Sequence, residues 1–260
     1  MRLRRILTVL LVLALPARAT SYTTDATDLW WNSNESGWGL NVIQQSEVLF
    51  LTFFVYASNG APTWYVAPDT SYSGTSGVAL VFSGPLYQTN GPWFGTSFNP
   101  ATVGVRQVGT ATFTMLTINT ASLTYSADGT GVSKSLTRQT WRTENLVGSY
   151  LGATVGTYSG CASNGYSEDA GAFVVSQNGS SISISSASSQ TGVTCSYSGT
   201  YTQTGRMGVI LGTESCSNGA FGQVTATEVT VSLDSLTGHV VVVNGSCVFN
   251  GRFGGLRRGS

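Results

Sequence analysis

After about residue 20 the chain alternates apolar and polar positions with a period of two, and the spacing of an amphipathic helix is nearly absent. In the first half the alternating runs predict strands over residues 39–44, 49–56, 63–67, 78–83, 106–115, 121–126 and 132–139. In the second half, residues 173–177 and 240–243 carry clear strand patterns. Turn dipeptides punctuate the runs. Asn-Gly occurs seven times, at Asn59, Asn90, Asn164, Asn178, Asn218, Asn244 and Asn250, and Asp128-Gly129 is a close equivalent. Such pairs accept the positive φ that both central positions of a type I′ hairpin require. The expected class is therefore all-β, antiparallel, with short connections. Residues 49–51 and 53–55 are apolar on both faces, which predicts a strand covered on both sides. An eight-strand meander closed into a barrel, or a tight sandwich, would provide that cover.

The six tryptophans (Trp30, Trp31, Trp38, Trp64, Trp93, Trp141) all precede residue 143, and the four cysteines (Cys161, Cys195, Cys216, Cys247) all follow it. A single core draws on a whole chain, so this partition predicts two antiparallel β domains, each a small barrel or sandwich. Residues 20–143 would be held by aromatic burial and residues 144–260 by disulfides. The second half also carries an internal repeat. Gly156-Thr157, Cys161 and Asn164-Gly165 correspond to Gly212-Thr213, Cys216 and Asn218-Gly219. Downstream, Cys195, Tyr197, Gly199 and Tyr201 correspond to Cys247, Phe249, Gly251 and Phe253. A spacing of two places each of these sets on one strand face, expected to point inward. Duplication would give one bridge per half, Cys161–Cys195 and Cys216–Cys247, among the three connectivities open to four cysteines. Asn250-Gly251 is contradictory: the repeat puts it in mid-strand, the dipeptide in a turn.

Residues 1–19 have the form of a secretory signal, with arginines at 2, 4 and 5, an apolar stretch from Ile6 to Leu15, and Ala17-Arg18-Ala19 before the cut. Ten apolar residues make about 15 Å of helix, too short for a membrane anchor. Removing this segment takes four arginines away and leaves eight basic against twelve acidic residues, a net charge of −4. With one lysine, Lys134, the mature chain has no footprint for nucleic acid. Charged residues make up 9% of the chain, against roughly 25% in ordinary soluble domains. Aromatic residues at 11% still argue for a packed core rather than disorder. Export to an oxidising compartment suits paired cysteines.

The densest cluster of unusual residues is Trp30-Trp31-Asn32-Ser33-Asn34-Glu35-Ser36-Gly37-Trp38-Gly39-Leu40-Asn41. It resembles the WWNPxESGWGxN opening of a domain that recurs, sometimes in tandem, in secreted proteobacterial proteins. The likeness continues through Phe53-Phe54-Val55-Tyr56, Asn59-Gly60-Ala61-Pro62-Thr63-Trp64, Gly84-Pro85-Leu86-Tyr87 and Leu136-Thr137-Arg138-Gln139, covering residues 28–142. Ser33 stands where the pattern has proline. The resemblance implies export and a β domain, without an activity or substrate.

Two readings of this segment compete. In one, Trp30, Trp31 and Trp38 plug one end of a barrel while Glu35 caps backbone amides. In the other they form a ligand platform. Indoles at Trp30, Trp31, Trp38 and Trp64 would stack on sugar rings, and Asn32, Asn34, Glu35 and Asn41 would hydrogen-bond their hydroxyls, with Trp93 as a further contributor. Catalytic signatures are sparse. His239 is the sole histidine, no Gly-x-Ser-x-Gly elbow exists, and disulfides would remove the cysteines as zinc ligands. A glycosidase would have to pair Glu35 with Asp69 or Asp28. Glu168-Asp169 reads as a solvated loop lacking the spacing of a calcium site. The chain is thus expected to be an exported, non-catalytic binding protein without cofactor or metal, with a glycan or other envelope component as partner. The alternatives are a structural or protein-interaction module and, third, a carboxylate hydrolase.

Overall fold

The computed structural model describes residues 25–259, so the secretory-signal reading falls on residues outside it. The described residues form two closed antiparallel barrels of eight strands each. The first runs β1 (Asp28–Trp31), β2 (Gly39–Gln45), β3 (Val48–Tyr56), β4 (Pro62–Ser76), β5 (Ala79–Asn90), β6 (Gly104–Met115), β7 (Thr120–Ala127) and β8 (Thr130–Arg138). The second runs β9 (Gly148–Ser159), β10 (Gly165–Asn178), β11 (Ser181–Ser188), β12 (Thr194–Thr204), β13 (Met207–Cys216), β14 (Phe221–Val231), β15 (Ser235–Asn244) and β16 (Cys247–Arg257). Each strand pairs with the next, β8 returns to β1, and β16 returns to β9. No strand is shared between the barrels.

Alternation explains the first core. Leu49, Leu51 and Phe53 of β3 are fully buried, together with Trp30, Leu40, Phe82, Phe113 and Leu123. Rings pack edge to face, Trp30 on Phe113 at 5.3 Å and Phe53 on Tyr125 at 5.2 Å between centroids. The other face of β3 corrects the expectation of cover on both sides: Phe50 and Phe54 are 41% and 52% exposed. A closed barrel has one interior, and among the described residues no further layer lies over the outside of this strand.

The turns also differ in detail. Only Asp128-Gly129, between β7 and β8, has positive φ at both residues. At Asn59-Gly60 and Asn218-Gly219 the glycine alone is left-handed. There the loop is longer, and the asparagine side chain accepts the amide two residues on, from Ala61 at 3.0 Å and Ala220 at 3.1 Å.

In the second barrel, Cys195, Tyr197, Gly199 and Tyr201 share one face of β12, and Cys247, Phe249, Gly251 and Phe253 share one face of β16; both faces turn inward. Asn250-Gly251 lies in mid-strand, as the repeat required. A Cβ on Gly251 would meet the Val155 carbonyl oxygen at 2.4 Å and the Phe249 ring at 2.7 Å, so only glycine fits. The disulfides, however, are Cys161–Cys247 and Cys195–Cys216. The expected pairing fails on register. Cys195 lies directly opposite Cys216 on β12 and β13, and Cys161 follows β9 where it meets β16. Each bridge therefore joins strands that are neighbours in space rather than residues of one sequence half.

The linker and a hairpin tip of the second barrel close the seam. Leu146 of the linker is buried in the second core, where its carbonyl accepts the Tyr150 hydroxyl at 2.8 Å. Between β12 and β13, Gly205 donates to the Thr140 hydroxyl at 2.7 Å and the Arg206 amide donates to the Asp28 carboxylate at 2.9 Å. Gly205 has φ +60°, and a Cβ there would sit 2.3 Å from the Asp28 carboxylate and 2.5 Å from Arg138. The tip thus reaches a buried ion pair of the first barrel, Arg138–Asp28 at 3.1 Å.

Candidate functional site

The tryptophan-rich segment connects β1 to β2 across one end of the first barrel. Its start is a tight turn made by Asn32, whose side chain accepts the Asn34 amide at 3.0 Å and whose carbonyl accepts the Glu35 amide at 3.0 Å. Glu35 does not cap backbone amides. Its carboxylate accepts the Trp38 indole N–H at 3.0 Å and the Lys134 ammonium at 2.6 Å, and that ammonium lies over the Trp38 ring. Trp38 is half-buried against the core and seals this end. Trp30 is fully buried, its indole N–H donated to the Ala26 carbonyl at 2.9 Å and its ring under the Arg138 guanidinium. A ligand cannot stack on a ring with no exposed surface, so Trp30 leaves the ligand set; Glu35 and Trp38 have their polar groups committed internally.

The remaining candidates divide. Asn34 is exposed in the loop, and Trp93 lies in the β5–β6 loop, 68% exposed. Trp31, Asn41 and Trp64 come together on the outside of β1, β2 and β4, because their strand neighbours Trp30 and Leu40 point inward. Gly39 lies opposite Phe54, and Phe54 opposite Trp64. The outer row therefore reads Trp31, Gly39, Phe54, Trp64 across four adjacent strands. The glycine leaves a dip between aromatic flanks. Phe54 was missing from the sequence-derived set because an apolar residue in an apolar run gives no signal of facing out.

The pairing of Glu35 with another carboxylate is not realised in this fold. Asp28 starts β1 and Glu35 follows its end, so the two lie toward opposite ends of the barrel. Asp69 has its own partner in the Ser71 hydroxyl at 2.7 Å. Glu35 has its pKa lowered, first by the hydrogen bond from Lys134, whereas a general acid needs the opposite shift. Glu168 and Asp169 lie within β10 rather than in a loop, with side chains on opposite faces. Glu168 accepts the exterior Tyr166 hydroxyl at 2.8 Å, and Asp169 accepts the Ser188 hydroxyl at 2.5 Å. His239 is outside on β15, 2.7 Å from the Asn250 side-chain oxygen.

The interior of the second barrel is filled at one end and hollow at the other. At the seam end it is packed by Leu146, Tyr150, Val175, Tyr201, Val229 and Leu236. Toward the disulfide end it opens into a cavity of about 500 Å³, whose walls include Tyr158, Ile184, Tyr197, Val224, Val242 and Phe249. Tyr158 packs on Phe249 with ring centroids 4.9 Å apart. The inward faces of the repeats form these walls, so the glycines and aromatics noted in the sequence shape a container rather than a solid core. Glu214 on β13 stands opposite Tyr197 on β12, and both line the cavity. Burial raises the Glu214 pKa while the hydrogen bond from Tyr197 opposes the rise. The Tyr197 hydroxyl is pushed up to about 12, by desolvation first and then by the Glu214 charge. Sequence reading missed Glu214, since one acidic residue in a polar strand has no distinguishing neighbour.

Among the described residues no group of three or more His, Cys, Asp or Glu is placed to hold a metal, and no helix is long and apolar enough to cross a membrane. No known protein family matches the sequence, and no curated protein does. Among solved structures, the chain is similar to isotype 1 transferrin binding protein B from serogroup B Neisseria meningitidis, with a TM-score of 0.36 and 10% identity over 86% of this chain. The chain spans about half, 52%, of that protein's length, and a likeness this distant carries no ligand or partner across.

Proposed function

We propose that this chain is an exported binding protein that holds a small, mainly apolar ligand inside its second barrel. The observation that carries the reading is the contrast between two barrels of equal strand number. The first is filled by Trp30, Phe53, Phe82, Phe113 and leucines, whereas the second keeps a cavity of about 500 Å³ walled by aromatic and aliphatic side chains. Native interiors are close-packed, and a chain with no use for the space fills it. A concave apolar chamber with a few placed polar groups is the usual form of a small-ligand site. Two disulfides brace its mouth and suit an oxidising compartment outside the cytosol.

The test is titration with a neutral fluorescent apolar probe. Saturable binding lost in Ala226→Trp, with the fold retained by near-ultraviolet circular dichroism, is the expected result. Absence of binding, or binding insensitive to filling the chamber, would overturn the reading.

A second reading, a protein-interaction module of the envelope, is favoured by the row of Trp31, Phe54 and Trp64 on the outside of the first barrel. Exposed apolar patches of this kind mark contact surfaces. That reading predicts a single crosslinked partner in intact cells, lost in Phe54→Ser with Trp64→Ser. An unchanged crosslink would remove the surface from consideration.

A further inference from the structure

We infer that the ligand of the second barrel carries a positive charge: an amine or quaternary ammonium group on an otherwise apolar body, seated with its cation against Glu214. This rests on the cavity being the binding site. The walls contain no lysine, arginine or histidine, while of their three acidic residues Glu214 and Asp169 face the space and Glu168 turns its carboxylate outward to Tyr166. Elsewhere this chain gives a buried carboxylate a cationic partner: Asp28 takes Arg138. Glu214 has only the Tyr197 hydroxyl, which in turn is bonded by Ser186.

A carboxylate inside an apolar chamber costs free energy unless a counter-charge compensates it. The chain supplies none from its own walls, so the compensating charge comes with the ligand. The surroundings match a cation in a second way. Tyr158 and Tyr197 both lie close enough to feel the Glu214 charge, and Phe249 packs on Tyr158. Their electron-rich faces attract ammonium groups, most strongly where water is excluded. An anionic ligand would meet two negative charges and no donor cation. A neutral one would leave Glu214 as it stands.

The probes are three molecules with the same ten-carbon tail: decyltrimethylammonium and decanoate below their micelle concentrations and decanol below its solubility limit, titrated calorimetrically into the mature two-barrel protein. The cation is expected to bind about tenfold or more tighter than the alcohol, the worth of one buried charge contact, with decanoate weakest. Glu214→Gln should abolish the cation's advantage while the alcohol binds as before, and the unchanged alcohol shows that the chamber is intact. Equal binding of alcohol and cation, or a cation preference that survives Glu214→Gln, would overturn the charge assignment and leave the chamber standing. Failure of all three probes would instead overturn the chamber as a ligand site.

Discussion

Changing Asp28 to Asn should destabilise the protein far more than a single surface ion pair could. The Arg138 side chain is wholly buried and that of Asp28 is 5% exposed. One carboxylate holds three groups: the Arg138 guanidinium at 3.1 Å, the Leu29 amide at 2.9 Å, and the Arg206 amide from the second barrel at 2.9 Å. An asparagine keeps the shape but has one acceptor oxygen, and its NH2 group must face a donor. Arg138 would retain the carbonyls of Asp25 and Ile118 at 2.6 Å and of Thr27 at 3.1 Å, and its stacking on Trp30. Those contacts place the cost near the low end of the roughly 3–5 kcal/mol seen when one member of a buried pair is removed. About 3 kcal/mol corresponds to a fall in Tm of roughly 6–12 °C for a chain of this size. Thermal and urea unfolding followed by tryptophan fluorescence would measure it, since all six indoles precede residue 143. Asp28→Asn combined with Arg138→Met should recover part of the loss, because the uncompensated charge is gone. A loss below about 1 kcal/mol, the value of an exposed bridge, would refute the reasoning and mean that water reaches the seam.

Other outcomes follow from the same contacts. Removing the Cys161–Cys247 bridge, which spans 86 residues, should cost about 4.6 kcal/mol on the chain-entropy relation, and removing Cys195–Cys216, which spans 21, about 3.3 kcal/mol; equal losses in denaturant titrations would contradict this ordering. Trp30→Ala should cost about 3–5 kcal/mol by leaving a hole in the first core, whereas Trp64→Ala, 54% exposed, should stay within about 0.5 kcal/mol. Acrylamide should correspondingly quench Trp64, Trp93 and Trp141 while sparing Trp30. For Glu35, whose pKa is depressed by Lys134 below the ordinary 4.5, the stabilisation is present above that value and is lost as pH falls through the lowered one. The Tm difference between the native protein and Glu35→Gln should therefore be level at neutral pH and shrink below pH 4.5; a difference that grows on acidification would reverse the assignment.

Alternation and turn residues announced an all-β chain, since period two needs nothing beyond neighbours in sequence. They also placed Cys195, Tyr197, Gly199 and Tyr201 on one inward face. The strand at residues 28–31 went unread because it is only four residues long and runs into the start of the tryptophan motif. Strand β4 extends to Ser76 through Pro68-Asp69, where local chemistry argues for a break; these two residues bulge out of register with both neighbours, and pairing resumes at Thr70 and Ser71.

What the sequence determined by itself is whatever depends on local periodicity: the fold class, the shared inward face of the cysteine, aromatic and glycine runs of the second half, and the separation of tryptophans from cysteines into two bodies. The tertiary structure decided what depends on which strands meet. Barrel closure put Cys161 beside Cys247 and Cys195 beside Cys216, drew Trp30 inside while leaving Trp31 and Trp64 out, and enclosed Glu214 in an apolar chamber. Register and closure are properties of pairs of segments far apart in the chain, and no single window of residues carries them.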